Sequence, residues 1–135
     1  MKRKRKEPIW NEDRDILAIH DRLLELHGGA PGLRDRGLLQ SALARPLQHH
    51  AYSGKSDTIE MAAFYTAGIV RNHPFVDGNK RAGFVAGILF LELNGFTFIA
   101  DETDSARAVL DLAAGTIDQA GYTAWLRTTV RKARQ

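Results

Sequence analysis

The sequence predicts an all-α fold, a compact single-domain helical bundle built around a central buried helix. Apolar residues recur at three- and four-residue steps along most of the chain, which is the period of an amphipathic helix. Residues 82–93 are apolar on nearly every face, as expected of a helix that other helices surround. Residues 96–99, Phe-Thr-Phe-Ile, look extended, but a segment so short and isolated should not build a sheet.

Capping and breaking residues bound the first two predicted helices. Asn11 can cap a helix that stops before Gly28, and Asp35 can cap a second helix that ends near Pro46. Residues 47–55 then lack a helical pattern, so we expect a mobile loop there.

Three more helices accompany the central one. Asp57 and Glu60 have the spacing of a capping box for a helix over residues 57–72, which Pro74 ends. Another helix is predicted from about residue 104 to residue 114. The last helix is predicted from four spaced residues, Tyr122, Trp125, Leu126 and Val130.

Residues 73–81, His-Pro-Phe-Val-Asp-Gly-Asn-Lys-Arg, place ionisable and polar groups directly before the central helix. Proline pushes the residue before it out of the α region, so His73 should present its ring at the start of a loop. The first turn of a buried helix offers unpaired N–H groups and the positive end of its dipole, which favour an anion such as phosphate. Lys80 and Arg81 strengthen that preference through their charge.

Two residues of this run indicate chemistry at the phosphate. Asp77 alone would repel phosphate, so its presence indicates Mg²⁺ between the carboxylate and the phosphate oxygens. His73 can take a proton from a hydroxyl nucleophile, the general-base role that histidine often fills in enzymes. Taken singly, Asp77 and Asn79 could be helix caps and His73 a packed loop residue. Their concentration in one short run favours a functional site.

The chain resembles the Fic/Doc superfamily and, within it, the death-on-curing (Doc) branch. Residues 73–81 fit the Doc pattern His-x-Phe-x-Asp/Asn-Ala/Gly-Asn-Lys-Arg. The resemblance extends to GGAPGLRD at 28–35, GLLQSALARP at 37–46 and FLELNG at 90–95. It spans most of the chain and implies a Fic/Doc-like helical fold with a flexible flap beside the active site.

Two departures from the Fic branch decide which chemistry the resemblance implies. Typical Fic enzymes transfer adenylate and read His-Pro-Phe-x-x-Gly-Asn-Gly-Arg-x-x-Arg, whereas Lys80 here replaces the second glycine and Phe84 the last arginine. Both changes fall on the phosphate site and argue against the adenylate-transferring pose. The Doc branch is understood to bind the nucleotide reversed, with the γ-phosphate next to the catalytic histidine. That pose implies an ATP-dependent protein kinase.

Carried over by position, the resemblance implies a role for each motif residue. His73 would be the general base that deprotonates a target hydroxyl, Asp77 would hold Mg²⁺, and Phe75 would anchor the loop in the core. The phosphates of ATP would be gripped by Asn79, Lys80 and Arg81. The flap would correspond to the loop after Pro46, in which three residues could dock the target, His49, His50 and Tyr52.

The histidines outside the motif are not expected to bind a metal or take part in catalysis. His49 and His50 are adjacent on an irregular loop with no carboxylate or cysteine partner nearby, so a metal site is not expected there. His20 and His27 are expected on helix surfaces.

The composition limits where in the cell the protein is expected and which partners it can have. The 135 residues suit one domain, and the absence of cysteine excludes disulfides and fits a reducing cytoplasm. No signal peptide or bilayer-spanning segment is recognisable, so no membrane partner is expected. Five of the 19 basic residues lie at 2–6, which predicts a disordered basic tail over 1–8 and a folded domain over 9–135. The tail is not expected to bind nucleic acid directly. A second basic end suits a helix C-terminus and comprises Arg127, Arg131, Lys132 and Arg134.

The leading hypothesis is the toxin of a toxin–antitoxin pair, a kinase acting on a translation factor, with elongation factor Tu as the implied target. Many Fic proteins restrain themselves with a helix bearing Ser/Thr-x-x-x-Glu-Gly/Asn. Here Ser56 and Glu60 come closest to that motif, but Met61 follows them. The resemblance implies instead a separate, Phd-like antitoxin with a segment that folds on binding. Two alternatives stay open, a Fic-type adenylyltransferase and a non-catalytic helical module that binds protein or DNA.

Overall fold

In the computed structural model, which describes residues 7–54 and 57–133, the chain forms six α-helices and two short strands. The helices are α1 (Asp13–His27), α2 (Arg36–Ser53), α3 (Thr58–Asn72), α4 (Asn79–Leu93), α5 (Glu102–Ala114) and α6 (Gln119–Arg127), and the strands are β1 (Phe96–Phe98) and β2 (Val130–Lys132). The predicted helical class is confirmed. None of the described helices is long and apolar enough to cross a membrane. Of the predicted basic tail, residues 1–6 lie outside the described part of the chain.

The two helices α3 and α4 form the centre of the bundle. In α3, nine of the ten residues from 61 to 70 are buried. The backbones of the two helices approach closely at Gly83 and Gly87 of α4. The Thr66 hydroxyl donates to the Gly83 oxygen at 2.8 Å, and a Cβ at position 87 would lie 3.0 Å from the Ala62 oxygen. The predicted central helix is therefore central, but α3 is the more completely buried of the pair.

The residue that caps α1 differs from the prediction. Glu12 caps the helix and forms a capping box with Asp15. Asn11 is buried instead, where its Nδ2 donates to the Ala86 oxygen at 2.9 Å and its backbone N–H donates to the Tyr65 hydroxyl at 3.2 Å. Asn11 thus ties the chain before α1 to both central helices. Those partners are distant in sequence, so a local capping pattern could not reveal them.

The second helix does not end at Pro46. Asp35 caps α2 as predicted, and the helix continues to Ser53, where Gly54 ends it in the left-handed conformation with φ of 67°. Proline removes one backbone hydrogen bond and crowds the preceding turn, but burial of its ring offsets part of that cost. The predicted loop over 47–55 is accordingly helical as far as Ser53.

The extended segment at 96–99 belongs to a sheet, contrary to the prediction. β1 pairs antiparallel with β2, and Phe98 lies opposite Val130. Val130 is therefore in a strand and not in the last helix, which ends at Arg127. Three-residue strands carry too little periodicity to predict a partner so far along the chain. Of the basic residues predicted at a helix C-terminus, Arg127 ends α6, whereas Arg131 and Lys132 lie in β2. Arg134 lies outside the described residues.

The N-terminus of α3 joins three segments. Asp57 caps the helix by accepting the Glu60 N–H at 3.1 Å, as predicted, whereas the Glu60 carboxylate pairs with His49 and does not complete a capping box. Arg127 of α6 forms an ion pair with Asp57. Burial raises the pKa of Asp57, but the hydrogen bonds from Arg127 and from the Glu60 N–H outweigh it and leave the pKa below its ordinary value.

Candidate active site

We call residues 73–78, between α3 and α4, the motif loop. His73 ends α3 in the left-handed conformation, with φ of 54° and ψ of 54°, because the proline that follows disfavours the right-handed helical region. The ring leaves the helix axis, as predicted, and is exposed. Gly78 makes a second left-handed turn, with φ of 79°, directly before α4. The two turns bring His73 and the first turn of α4 to the same cavity.

Asn79 holds the motif loop together from inside. Its Oδ1 accepts the Phe75 N–H at 2.9 Å and its Nδ2 donates to the Phe75 oxygen at 3.0 Å, so the backbone of Phe75 fixes the orientation of the amide. The second N–H of Nδ2 lies 3.1 Å from Nδ1 of His73, which therefore accepts it. The neutral His73 ring then carries its proton on Nε2. The side chain of Asn79 is buried and fully engaged in this way.

Asp77 presents an exposed carboxylate at the cavity. One oxygen accepts the Ala30 N–H at 3.2 Å and the other accepts the Gly78 N–H at 2.8 Å. These two backbone donors, Ala30 first, hold the pKa of Asp77 below its ordinary value, and the nearby His20 and Lys80 add to the effect. The carboxylate is therefore ionised at neutral pH.

Residues 29–35, which we call the cradle, run antiparallel beside the motif loop. Leu33 forms a β-bridge with Phe75, and the Val76 N–H donates to the Gly32 oxygen at 3.0 Å. The cradle therefore supports the loop through backbone contacts. Sequence reasoning did not assign this role, although the density of glycine at 28–32 is a signal for close backbone approach.

Besides Ala30, Arg34 and Gly29 of the cradle lie directly against His73 and Asp77. The Arg34 guanidinium donates to the His73 oxygen at 2.7 Å and to the Asn72 oxygen at 2.9 Å, so it caps the C-terminus of α3 and offsets its dipole. Gly29 leaves room for the Asp77 carboxylate, since a Cβ at Gly29 would lie 2.9 Å from its Oδ2. The N-terminal third of the chain thus shapes the site as much as the motif does.

His20 was predicted to lie on a helix surface, and this prediction is wrong. It is 3% exposed, and with Ile16 it lies on the buried face of α1. His27, by contrast, is exposed as predicted and lines the cavity. A histidine four residues after a buried isoleucine has the spacing of a core position, which was the signal available in the sequence.

The residues predicted to form a flap lie far from the motif loop. His49 and His50 belong to α2, and His49 pairs with Glu60 in the first turn of α3. His73 follows the other end of α3, and a helix of 15 residues is about 22 Å long. Tyr52 is in the last turn of α2. The prediction that this segment lies beside the active site is wrong, and the cradle occupies that position.

A cavity of about 720 Å³ opens over the motif loop, a volume typical of small-molecule sites. Its polar end carries His73 and Asp77 together with the cations Lys80 and Arg81 of the first turn of α4. That turn also offers backbone N–H groups without helical acceptors. The apolar wall is formed by residues of α4, β1 and α5, among them Phe84, Val85, Phe98, Val109 and Leu110.

Fold and site together define a helical protein with a cavity at a helix N-terminus that carries two cations, a carboxylate and a histidine. The chain belongs to the Fic/DOC family, whose family model matches residues 10–91. It is 31% identical over 113 residues to "Protein kinase doc" of Escherichia phage P1, covering 84% of this chain and 89% of that protein. It is also 36% identical over 89 residues to "Toxin Doc" of Mycolicibacterium smegmatis, covering 64% of this chain and 68% of that protein.

Proposed function

We propose that this chain is the toxin of a toxin–antitoxin pair and transfers the γ-phosphate of ATP to a hydroxyl group of a translation factor. The observation that carries the proposal is the meeting of His73, Asp77, Lys80 and Arg81 at one end of a nucleotide-sized cavity. Phe84 in the apolar wall, where Fic adenylyltransferases carry an arginine, favours phosphate transfer over adenylate transfer. The names of the two relatives, a protein kinase and a toxin, agree with it.

The cavity suggests how ATP would lie. The phosphates would sit at the N-terminus of α4, where Lys80 and Arg81 supply charge and the dipole favours an anion. Because the side chain of Asn79 is engaged within the loop, Asn79 would contribute its backbone N–H to the phosphates. The γ-phosphate would lie beside His73, and the base would extend towards the apolar wall at Phe98.

Asp77 fits a magnesium ion. Each of its oxygens accepts one N–H and has a further lone pair, the side chain lines the cavity, and the lowered pKa keeps the carboxylate charged. Across the described residues, no cluster of three or more metal-binding side chains is found. Magnesium is commonly held by one or two carboxylates together with substrate phosphates and water, and one carboxylate would suffice. When bound, the ion would neutralise charge on the phosphate oxygens.

The transfer step needs a base and little else from the protein. His73 takes the proton of the acceptor hydroxyl at Nδ1, the unprotonated nitrogen of the neutral ring, so the Asn79 amide gives up that nitrogen when the target docks. The acceptor oxygen bonds to the γ-phosphorus while the bond from that phosphorus to the bridging oxygen breaks. ADP leaves, and Lys80 and Arg81 balance its charge.

Mass spectrometry of elongation factor Tu incubated with this protein, ATP and Mg²⁺ tests the proposal. A gain of one phosphate on a hydroxyl residue is expected, and it should be absent with the His73→Ala variant. A gain of adenylate would support the Fic-type alternative instead. An unmodified factor, followed by no phosphate transfer to any protein of a bacterial lysate, would contradict the kinase assignment.

A further inference from the structure

His20 lies beneath the motif loop, in the middle of α1. Its Nε2 is 2.7 Å from the backbone oxygen of Asp77, and its ring lies nearly parallel to that of Phe75, with 3.8 Å between ring centroids. A carbonyl oxygen only accepts, so Nε2 carries a proton and donates it. Gly78 packs against the same ring, since a Cβ there would lie 3.5 Å from Nε2. His20 therefore touches three residues of the loop.

Packing alone does not account for a histidine at this position. A leucine would fill similar space without the cost of burying a polar ring. The imidazole supplies a donor to the Asp77 oxygen, to which no backbone N–H of the described loops and turns donates. Asp77 is thus held at its carbonyl by His20 and at its carboxylate by the N–H groups of Ala30 and Gly78.

We propose that His20 is a positioning residue of the active site. Through the Asp77 carbonyl and the Phe75 ring it fixes the loop that presents the Asp77 carboxylate and the His73 ring to the nucleotide. His20 lies outside the motif and does not line the cavity, so it acts through the loop and not on the substrate. The role of the loop in presenting Asp77 and His73 to a nucleotide rests on the proposed function. The contacts by which His20 holds the loop are a property of the fold.

Three variants separate positioning from packing. His20→Leu keeps the bulk of the side chain and loses the donor, and His20→Gln restores an N–H donor at similar reach. Ile16→Val loosens the same buried face of α1 and leaves the His20 hydrogen bond to the Asp77 oxygen in place. We expect His20→Leu to lower kcat by about 10²-fold, as for a misplaced catalytic group, and to raise KM for ATP, because the loop carries Asp77 as well as His73. Amide hydrogen exchange at Val76 and Gly78 should become faster. His20→Gln should restore the kinetic constants and the exchange rates, and Ile16→Val should alter neither.

Thermal melts of the three variants supply the stability against which kcat is compared. A folded His20→Leu with wild-type kcat and wild-type exchange would overturn the proposal. The proposal would also be overturned if His20→Gln did not restore kcat and if the loss of kcat across the variants, Ile16→Val included, simply followed the loss of thermal stability. If His20→Leu does not fold, His20→Asn, whose amide is too short to reach the Asp77 oxygen, takes its place. If the wild-type protein transfers no phosphate, the proposed function fails, and the exchange rates still decide whether His20 holds the loop.

Discussion

His73 combines an exposed ring with a tightly held backbone. Its N–H donates to the Ile69 oxygen at 3.1 Å, and its carbonyl accepts from Arg34 at 2.7 Å. The ring itself has one hydrogen bond among the described residues, from Asn79. A side chain so placed contributes little to packing, so its replacement should affect chemistry and leave stability nearly unchanged.

The first prediction is that His73→Ala lowers the rate of phosphate transfer by about 10²–10⁴-fold, the usual contribution of a general base. The rate is measured with γ-labelled ATP, and circular dichroism should show unchanged helical content. His49→Ala is the matched control, because His49 lies at the far end of α3, and it should keep the wild-type rate. Near-normal transfer by His73→Ala would remove His73 from the base role.

The second prediction concerns Asp77. Asp77→Asn removes the charge and leaves one of the two backbone N–H groups, from Ala30 or Gly78, without its acceptor. We expect ATP to bind more weakly in the presence of Mg²⁺ and to lose most of its dependence on the ion. Calorimetry with and without Mg²⁺ measures this, and Asp21→Asn on the exposed face of α1 is the control. Equal ATP affinity with and without Mg²⁺ in the wild-type protein would reduce Asp77 to a loop-stabilising residue.

The sequence identified the residues of the motif loop because their chemistry is concentrated in one run. It did not identify His20 or Arg34, whose partners are 57 and 39 residues away. It also missed that the Asn79 side chain bonds within the loop, since an amide at the start of a helix is equally suited to bind phosphate or nearby backbone. Contacts over such distances depend on tertiary packing, which local patterns do not encode.

At the scale of elements, the contact between α3 and α4 is set by small residues. Gly87 lies where a Cβ would overlap the Thr66 hydroxyl and approach the Ala62 oxygen to 3.0 Å. The close approach places the motif loop, which joins the two helices, on a rigid pair. Changes in this contact should therefore affect stability before they affect chemistry.

The third prediction is that Gly87→Ala lowers the free energy of unfolding by about 1–3 kcal/mol through overpacking. Intrinsic helix propensity predicts the opposite sign, a gain of up to about 1 kcal/mol. Gly37→Ala in the first turn of α2 is the control, because its Cβ would meet only a side-chain oxygen, Asp35 Oδ1 at 3.2 Å. Urea denaturation compares the two variants, and a stabilised Gly87→Ala would show that the helices are less tightly packed.

The fourth prediction uses the lowered pKa of Asp57. A carboxyl whose pKa is lower in the folded state stabilises the protein above its ordinary pKa of 3.8 and loses that contribution as the pH falls. Asp57→Asn keeps a capping oxygen and removes the charge opposite Arg127. It should be less stable than wild type by up to about 1 kcal/mol at pH 7, as for a surface ion pair, and equal to it well below pH 3.8. A pH-independent difference in unfolding free energy would exclude the charge as its cause.

Helices were predicted more reliably than their ends and partners. Asp35 and Asp57 cap helices because the pattern is local, and both were identified. Pro46 was interpreted as an end because the sequence does not show that its ring is buried. The pairing of β1 with β2 was missed for the related reason that a strand's partner is set by the whole fold.

For the whole molecule, the cavity is assembled from segments that are far apart in the sequence, from His27 to Leu110. The cradle and α1 support the motif loop, α4 supplies the cations, and β1 and α5 supply the apolar wall. The site therefore exists only in the folded domain. A partner that covered this cavity would control the protein completely.

The fifth prediction follows from the proposed toxin role. Expression of the wild-type chain in a bacterial host without the antitoxin should arrest growth, and co-expression of the adjacent small gene product should relieve the arrest. We propose that this product is a Phd-like antitoxin whose segment folds on binding. The His73→Ala variant, expressed at the same level, should be harmless. Normal growth with the wild-type protein, confirmed as folded and abundant, would contradict the toxin assignment.

The strand pairing at the end of the domain has a consequence for the order of synthesis. Phe98 lines the cavity from β1, and β1 is held by β2, with the Ile99 N–H also donating to the Thr129 oxygen at 2.7 Å. A nascent chain leaves the ribosome from its N-terminus, so the motif loop emerges well before β2. Until β2 has been synthesised and pairs with β1, the part of the cavity wall that contains Phe98 lacks its supporting strand. For the toxin proposed above, the active-site cavity would therefore stay incomplete until β2 has been synthesised.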